Sequence, residues 1–326
     1  MAADKKRAIS QALGGVRMQM RSIRIAVVAV VVAAAALVPA TAAGAAGPYL
    51  YKSTVPLGPV GNLPSVGPEA YAFKELGNQI TLDHAGKVGS VVVTLSSWAC
   101  QSGHWNTGNC SSTPGAKVTV PITFNIYNRA TGTTPVAGSL IASAAKSFAI
   151  PYRPSAVPVH CTGSNAGKWW GGSPKRCLNG KAVNITFTFA NVALPADVVY
   201  GISYNSTHYG YHPIGESAPC FATAAGCFYD SLNIALTKDP TDVSAGHDPG
   251  PTGTIFQYSS LPGQYCDGGT GGINVFREDS PTNGCWSVSS VRGTSPYYIP
   301  AVQLNAKSAN DNEDADGDQG DQTEGD

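Results

Sequence analysis

The stretch that decides the fold is Val118-Thr119-Val120-Pro121-Ile122-Thr123-Phe124-Asn125-Ile126-Tyr127. Val118, Val120, Ile122, Phe124 and Ile126 fall on one side; Thr119, Pro121, Thr123, Asn125 and Tyr127 fall on the other. Alternation of period two over this length makes a strand with one face buried and one wet. Pro121 has no N–H to give a ladder, so the strand is expected to be a sheet edge or to carry a bulge there. Residues 183–189 repeat the pattern, with Val183, Ile185, Phe187 and Phe189 set against Asn184, Thr186 and Thr188. So do Leu232, Ile234 and Leu236 against Asn233, Ala235 and Thr237.

Working outward, residues 91–98 are partly apolar on both faces, as in a strand covered on two sides. Residues 79–82 offer a short strand closed by the turn Asp83-His84-Ala85-Gly86. Weaker strand signals lie at 140–144, 147–150, 254–258 and 297–304, while 142–146 is the best helical turn in the chain. In 198–214, Val198, Tyr200, Ile202 and Tyr204 share a face until Asn205-Ser206-Thr207 breaks the parity. This predicts a core strand to about Tyr204, then a loop bearing His208, Tyr209, Tyr211 and His212. About ten strands with no sustained helical period predict an all-β fold, a jelly-roll-type β-sandwich with long disulfide-stapled loops. One sandwich, or two smaller ones divided near residue 180, would both fit the length.

The ends read differently. Lys5, Lys6, Arg7, Arg17, Arg21 and Arg24 precede an apolar run from Ile25 to Leu37, and Ala40-Thr41-Ala42 fits a signal-peptidase pattern. Residues 1–42 are therefore expected to be a signal peptide, with an uncleaved membrane anchor as the alternative. A Pro/Gly-rich lead-in follows over 43–68, the sandwich over 69–307, and an acidic disordered tail over 308–326. In the tail, Asn312, Asp314, Asp316, Gly317 and Asp318 match a calcium loop, but Thr323 stands where its glutamate belongs. A solvated tail is the simpler reading. The formal charge of +0 hides this asymmetry, because the leader holds 6 of the 21 bases and the tail 8 of the 21 acids. Residues 43–307 keep 15 bases and 12 acids, too even a balance for a nucleic-acid partner.

All 8 cysteines follow the leader, so an exported chain would carry disulfides. Sequence allows 105 pairings. The expected ones are local: Cys100–Cys110, Cys161–Cys177, Cys220–Cys227 and Cys266–Cys285, each stapling one polar loop. No Cys-x-x-Cys occurs, and neither a metal nor a cofactor is expected.

Several phrases together carry a resemblance: Leu63-Pro-Ser-Val-Gly-Pro-Glu-Ala-Tyr71, Val93-Thr-Leu-Ser-Ser-Trp-Ala-Cys100, Pro121-Ile-Thr-Phe-Asn-Ile-Tyr127, Ile150-Pro-Tyr-Arg-Pro-Ser155, Val199-Tyr-Gly-Ile-Ser-Tyr204 and Tyr229-Asp-Ser-Leu-Asn-Ile234. The chain resembles a group of secreted actinobacterial β-sandwich proteins of unassigned function. The resemblance implies export and an all-β fold. It implies no activity, so it transfers no catalytic residue.

No nucleophile elbow, zincin motif or phosphate loop is present. Glu69, Glu75, Glu216 and Glu278 are the glutamates of the domain, and they read as surface groups. His208 and His212, four apart, would lie roughly 13 Å from each other in extended chain, too far to share an ion. Aromatics in polar loops are the stronger signal: Trp105, the pair Trp169-Trp170, and Tyr209 with Tyr211. Sugar rings stack their C–H faces on such groups. Trp98 and Trp286 read as covers over disulfides, whereas Trp169 and Trp170 fit ligand contact and loop anchoring equally well. The expected function is an exported non-catalytic binding or adhesion protein that recognises extracellular polysaccharide or cell-surface glycan through loop aromatics. The alternatives are a secreted polysaccharide hydrolase or lyase using Glu216, Asp230 or Glu278, and a structural cell-envelope protein.

Overall fold

The alternating stretch lies within a strand of 13 residues, Lys117–Arg129, with Val120, Ile122, Phe124 and Ile126 buried. It is the fifth of a series in the computed structural model. The structure describes residues 48–55, 63–68, 73–103, 105, 108–130, 137–172, 175–204, 208–209, 212–213, 232–239, 241–248, 254–258, 276–278 and 297–307. In chain order the first strands are β1 (Tyr49–Lys52), β2 (Ser65–Val66), β3 (Phe73–Thr81), β4 (Gly86–Ser97), β5 (Lys117–Arg129) and β6 (Ala137–Pro151). Next come β7 (Trp169–Gly172), β8 (Lys175–Leu178), β9 (Lys181–Leu194), β10 (Asp197–Tyr204), β11 (His208–Tyr209) and β12 (His212–Pro213). The last are β13 (Leu232–Asp239), β14 (Thr254–Tyr258), β15 (Arg277–Glu278), β16 (Tyr297–Pro300) and β17 (Val302–Ala306).

These strands build two large antiparallel sheets. The first runs β1-β17-β4-β13-β16, with β9 paired to β4 and β2 to β13; the second runs β15-β14-β3-β10-β5-β6. Both draw on both halves of the chain, since β4 pairs with β9 and β13, and β3 pairs with β10 and β14. The sheets share one core. Val91, Val93, Leu95, Phe187 and Ile234 from the first meet Leu76, Ile80, Phe124, Val198 and Tyr200 from the second. The Phe124 ring lies 5.8 Å from Phe187 and stacks on Tyr200 at 5.5 Å. Burying side chains of this kind stabilises the fold by about 1.5–3 kcal/mol each.

Pro121 corrects its expectation. β5 is an interior strand, and its register shifts fall between Ile126 and Arg129, away from Pro121. The last pair with β10 is Ile122↔Tyr204, so Pro121 stands one residue beyond it, where no ladder bond is lost. Residues 142–146 are also corrected, because they continue β6 and pair with residues 126 down to 122 of β5. Their local helical preference yields to this partner. The strand expected at 79–82 starts earlier, at Phe73, and the one at 297–304 divides into β16 and β17. β10 ends at Tyr204, with Val198, Tyr200, Ile202 and Tyr204 in the core.

Residues 241–248 reach from one sheet to the other. Ala245 bridges to Lys52 of β1 and His247 to Thr81 of β3, so this loop ties the two sheets together. Gly246, at φ 67°, makes the turn between the two bridges. The leader, the acidic tail, Cys220, Cys227, Cys266, Cys285, Tyr211, Glu216, Asp230 and Trp286 lie outside the described residues.

Candidate functional site

Register places several connections at one end of the sandwich. Ser97 of β4 pairs with Lys181 of β9 and with Leu232 of β13, while Lys117 of β5 pairs with Pro151 of β6. The connections 98–116 and 152–180 therefore leave from the same end. The connection 205–231 also starts and finishes there, and the Tyr204 hydroxyl donates to the carbonyl of Leu232, joining its two stems. This is the connection that carries His208, Tyr209, Tyr211 and His212. Within it, β11 and β12 pair His208 with Pro213 and Tyr209 with His212, so the two histidines are not register partners.

Each of the first two connections is stapled as expected. Cys100 bonds Cys110 and Cys161 bonds Cys177, across sequence separations of 10 and 16. Closing loops of this size stabilises by about 2–4 kcal/mol each. The loops are also fastened to each other. Arg153 N–H donates to Ala99 O (2.9 Å) and Ala156 N–H to Cys110 O (3.0 Å). Ser155 Oγ accepts from Ser112 N–H (2.9 Å). The Arg153 guanidinium, 1% exposed, donates through Nη2 to Gly167 O at 2.7 Å. Gly167 and Gly108 touch through their backbones, and a Cβ on Gly167 would stand 2.6 Å from Gly108 Cα. Only glycines permit that approach, and both have positive φ.

The aromatic residues take distinct places on this base. Trp169 is buried and its indole N–H donates to Gly180 O at 3.1 Å, so the anchoring reading describes it. Trp98, whose indole N–H donates to Ser96 Oγ, lies against the same glycine, where a Cβ would come within 2.5 Å of its Nε1. Trp105 stands edge-on to Trp98 at 4.8 Å and remains 40% exposed. Trp170 is half-buried and stacks on the exposed His160 at 4.8 Å. The structure thus sets Trp105 against Trp98, and places Trp98 and Trp169 each against Gly180, with the Trp105 ring partly open to solvent. Among the described residues, no three His, Cys, Asp or Glu side chains converge as metal ligands.

A second polar feature had no signal in sequence. Glu75 of β3, read as a surface group, is buried on the outer face of the second sheet. Its carboxylate accepts from Asn125 Nδ2 at 2.9 Å and from the Tyr127 hydroxyl, 3.0 Å from Oε1 and 3.1 Å from Oε2. It lies over Gly201, where a Cβ would meet Oε1 at 1.9 Å. The run of buried residues on both faces of β10, including Val199, is the hint that this outer face is covered. An anion held by fixed donors and closed from solvent suits holding the sheet together better than moving protons.

Burial first, then the Glu75 charge, hold the Tyr127 phenol well above its usual 10.0. Burial likewise raises Tyr152 and Tyr200, and it pushes Arg153 down to about 10. The unfolded chain releases its tyrosine protons near 10.0 while the folded chain keeps them, so stability falls as pH rises above that value. Arg153 acts oppositely between about 10 and its ordinary 12.5, but it is one group against three. Alkaline unfolding above about pH 10 is therefore expected. Ultraviolet titration of phenolate should show native protein ionising fewer tyrosines than urea-unfolded protein; coincident curves would contradict it.

Compared with known proteins, the chain matches no family model, no curated protein and no solved structure.

Proposed function

We propose that the chain is an exported, non-catalytic binding or adhesion protein that recognises polysaccharide by stacking on Trp105. The observation that carries this reading is the placement of that ring. It is 40% exposed, more than Trp98, Trp169 or Trp170, and it rests on a stapled base rather than a free loop. Rigid aromatic area costs little ordering entropy on binding. Two local disulfides, the leader pattern and the resemblance to secreted actinobacterial β-sandwich proteins all support export. No helix of the described residues is long and apolar enough to cross a membrane. The hydrolase or lyase alternative gains nothing from Glu75, whose carboxylate is closed off by Asn125 and Tyr127.

Pull-down on a panel of insoluble polysaccharides tests the reading. Trp105→Ala is expected to weaken retention about tenfold or more, the scale of an aromatic hot spot. Its urea midpoint should stay near that of the parent, because the ring is already 40% exposed. Equal retention of parent and variant, or no retention on any polysaccharide, would overturn it.

A further inference from the structure

We infer that the polysaccharide this chain recognises is anionic, bearing carboxylate or phosphate groups, and that the stapled connections supply the opposite charge. The inference rests on the glycan reading above and names the chemistry of its polymer. Between Asp83 and Asp197 the sequence has no acid, yet that interval holds 9 of the 15 bases of residues 43–307. The near-even total therefore hides a separation of charge along the chain.

The fold gathers that charge. Lys117 opens β5 and Lys181 opens β9, while Arg153, Lys168, Lys175 and Arg176 belong to the connection 152–180 and its hairpin β7-β8. The two stapled connections, with the strand ends they join, thus carry six bases and no acid. Lys117, Lys175, Arg176 and Lys181 are exposed, and Lys168 is half-buried. Among the described residues the ion pairs lie elsewhere, between His84 and Asp83 and between Arg129 and Asp197. Asp83 and Asp197 stand at the other end of the sandwich, beside Thr81, where β3 finishes. Glu216 and Asp230 of the connection 205–231 are outside the described residues and do not alter that count.

Arg153 gives a second, independent observation. It is buried between the two stapled connections, and among the described residues it meets no carboxylate. Its guanidinium donates to Gly167 O, and its Nε has no hydrogen-bond partner. Burying a charge is costly unless an opposite charge accompanies it. Arg153 does not reach the polymer; its weakly screened field adds to the potential that the exposed bases present. Rings and cations also stand side by side here. In the β7-β8 hairpin Trp170 pairs with Cys177 and Gly172 with Lys175, so Trp170 and Lys175 share a face. Lys181 Nζ lies 5.7 Å over the Trp169 ring. An aromatic ring takes the C–H face of a sugar, and a neighbouring cation takes the carboxylate or phosphate that the sugar bears.

Affinity electrophoresis of the full chain through gels containing polygalacturonate, its methyl ester or polyglycerol phosphate tests this. Polygalacturonate and its ester share their sugar rings and differ in charge, and the phosphate polymer separates phosphate from carboxylate as the group bound. Binding to at least one anionic polymer should exceed binding to the ester about tenfold, and should fall about tenfold as salt rises from about 0.05 M to about 0.5 M. Lys175→Gln with Arg176→Gln should weaken it about tenfold, the effect of losing two exposed charges. Lys87→Gln with Arg129→Gln removes the same charge at the far ends of β4 and β5 and should change binding less than about twofold. Equal binding to polygalacturonate and its ester, with none to the phosphate polymer, would overturn this inference and leave the Trp105 reading standing; binding to no polysaccharide would overturn both. Equal losses for the two double variants, or tighter binding to DNA than to any of the three polymers, would also overturn it.

Discussion

Gly77→Ala is expected to destabilise the protein by about 3 kcal/mol or more, at the upper end of overpacking effects. A Cβ on Gly77 would stand 1.7 Å from the carbonyl oxygen of Tyr200 and 2.9 Å from Gly201 Cα. Both atoms belong to the backbone of β10, which pairs with β3 through Gly77↔Gly201. No rotamer can relieve such a contact; the two strands must part at the middle of the second sheet. Gly201→Ala is the useful comparison, because its Cβ meets the Glu75 side chain, which can shift at the cost of its bonds to Asn125 and Tyr127, and not backbone. Urea unfolding should therefore show a much larger loss for Gly77→Ala than for Gly201→Ala. Equal losses would mean that the close approach of the strands is not what excludes a side chain at Gly77.

Phe124→Ala should cost about 3–5 kcal/mol, the range for removing a fully buried phenylalanine. The ring is completely buried and lies between the sheets. Beside it in its own sheet is Tyr200 at 5.5 Å; across the core are Phe187 at 5.8 Å and Phe189 at 6.3 Å. Truncation leaves a cavity that rigid neighbours on two sheets cannot collapse to fill. Because the ring belongs to both layers, the loss should appear as a single cooperative shift of the unfolding curve. A loss below about 1 kcal/mol, or a curve that splits into two steps, would mean that the sheets do not depend on one core.

The strands with one dry and one wet face were legible without coordinates. β5 and β9 follow the alternation of their sequences because a single pattern of burial governs each of them. β6 was harder, since Ala142-Ser-Ala-Ala-Lys146 prefers helix locally and becomes strand only because β5 lies alongside it. The first half of β3 was hidden for another reason. Glu75 read as a surface group, yet it is buried against Asn125 and Tyr127, and Asn78 beside it is buried against Asp248. Polar residues satisfied by distant partners leave no periodic trace.

The loop site divides along the same line. The pairings Cys100–Cys110 and Cys161–Cys177 are local and could be read from spacing and composition. The different fates of Trp105, Trp169 and Trp170 could not. They depend on Gly180 offering its carbonyl to Trp169, on Trp98 supporting Trp105, and on His160 reaching Trp170. Nothing in the spacing of the tryptophans records those neighbours.

Where a bound glycan fragment protects the protein most directly tests the central claim. Hydrogen exchange should be followed while a retained oligosaccharide is titrated onto the full chain. Protection is predicted in 98–116 and 152–180, the two stapled connections that surround Trp105, and should disappear with Trp105→Ala. Protection confined to the outer face of the second sheet around Glu75, Asn125 and Tyr127 would contradict the account and move the site there.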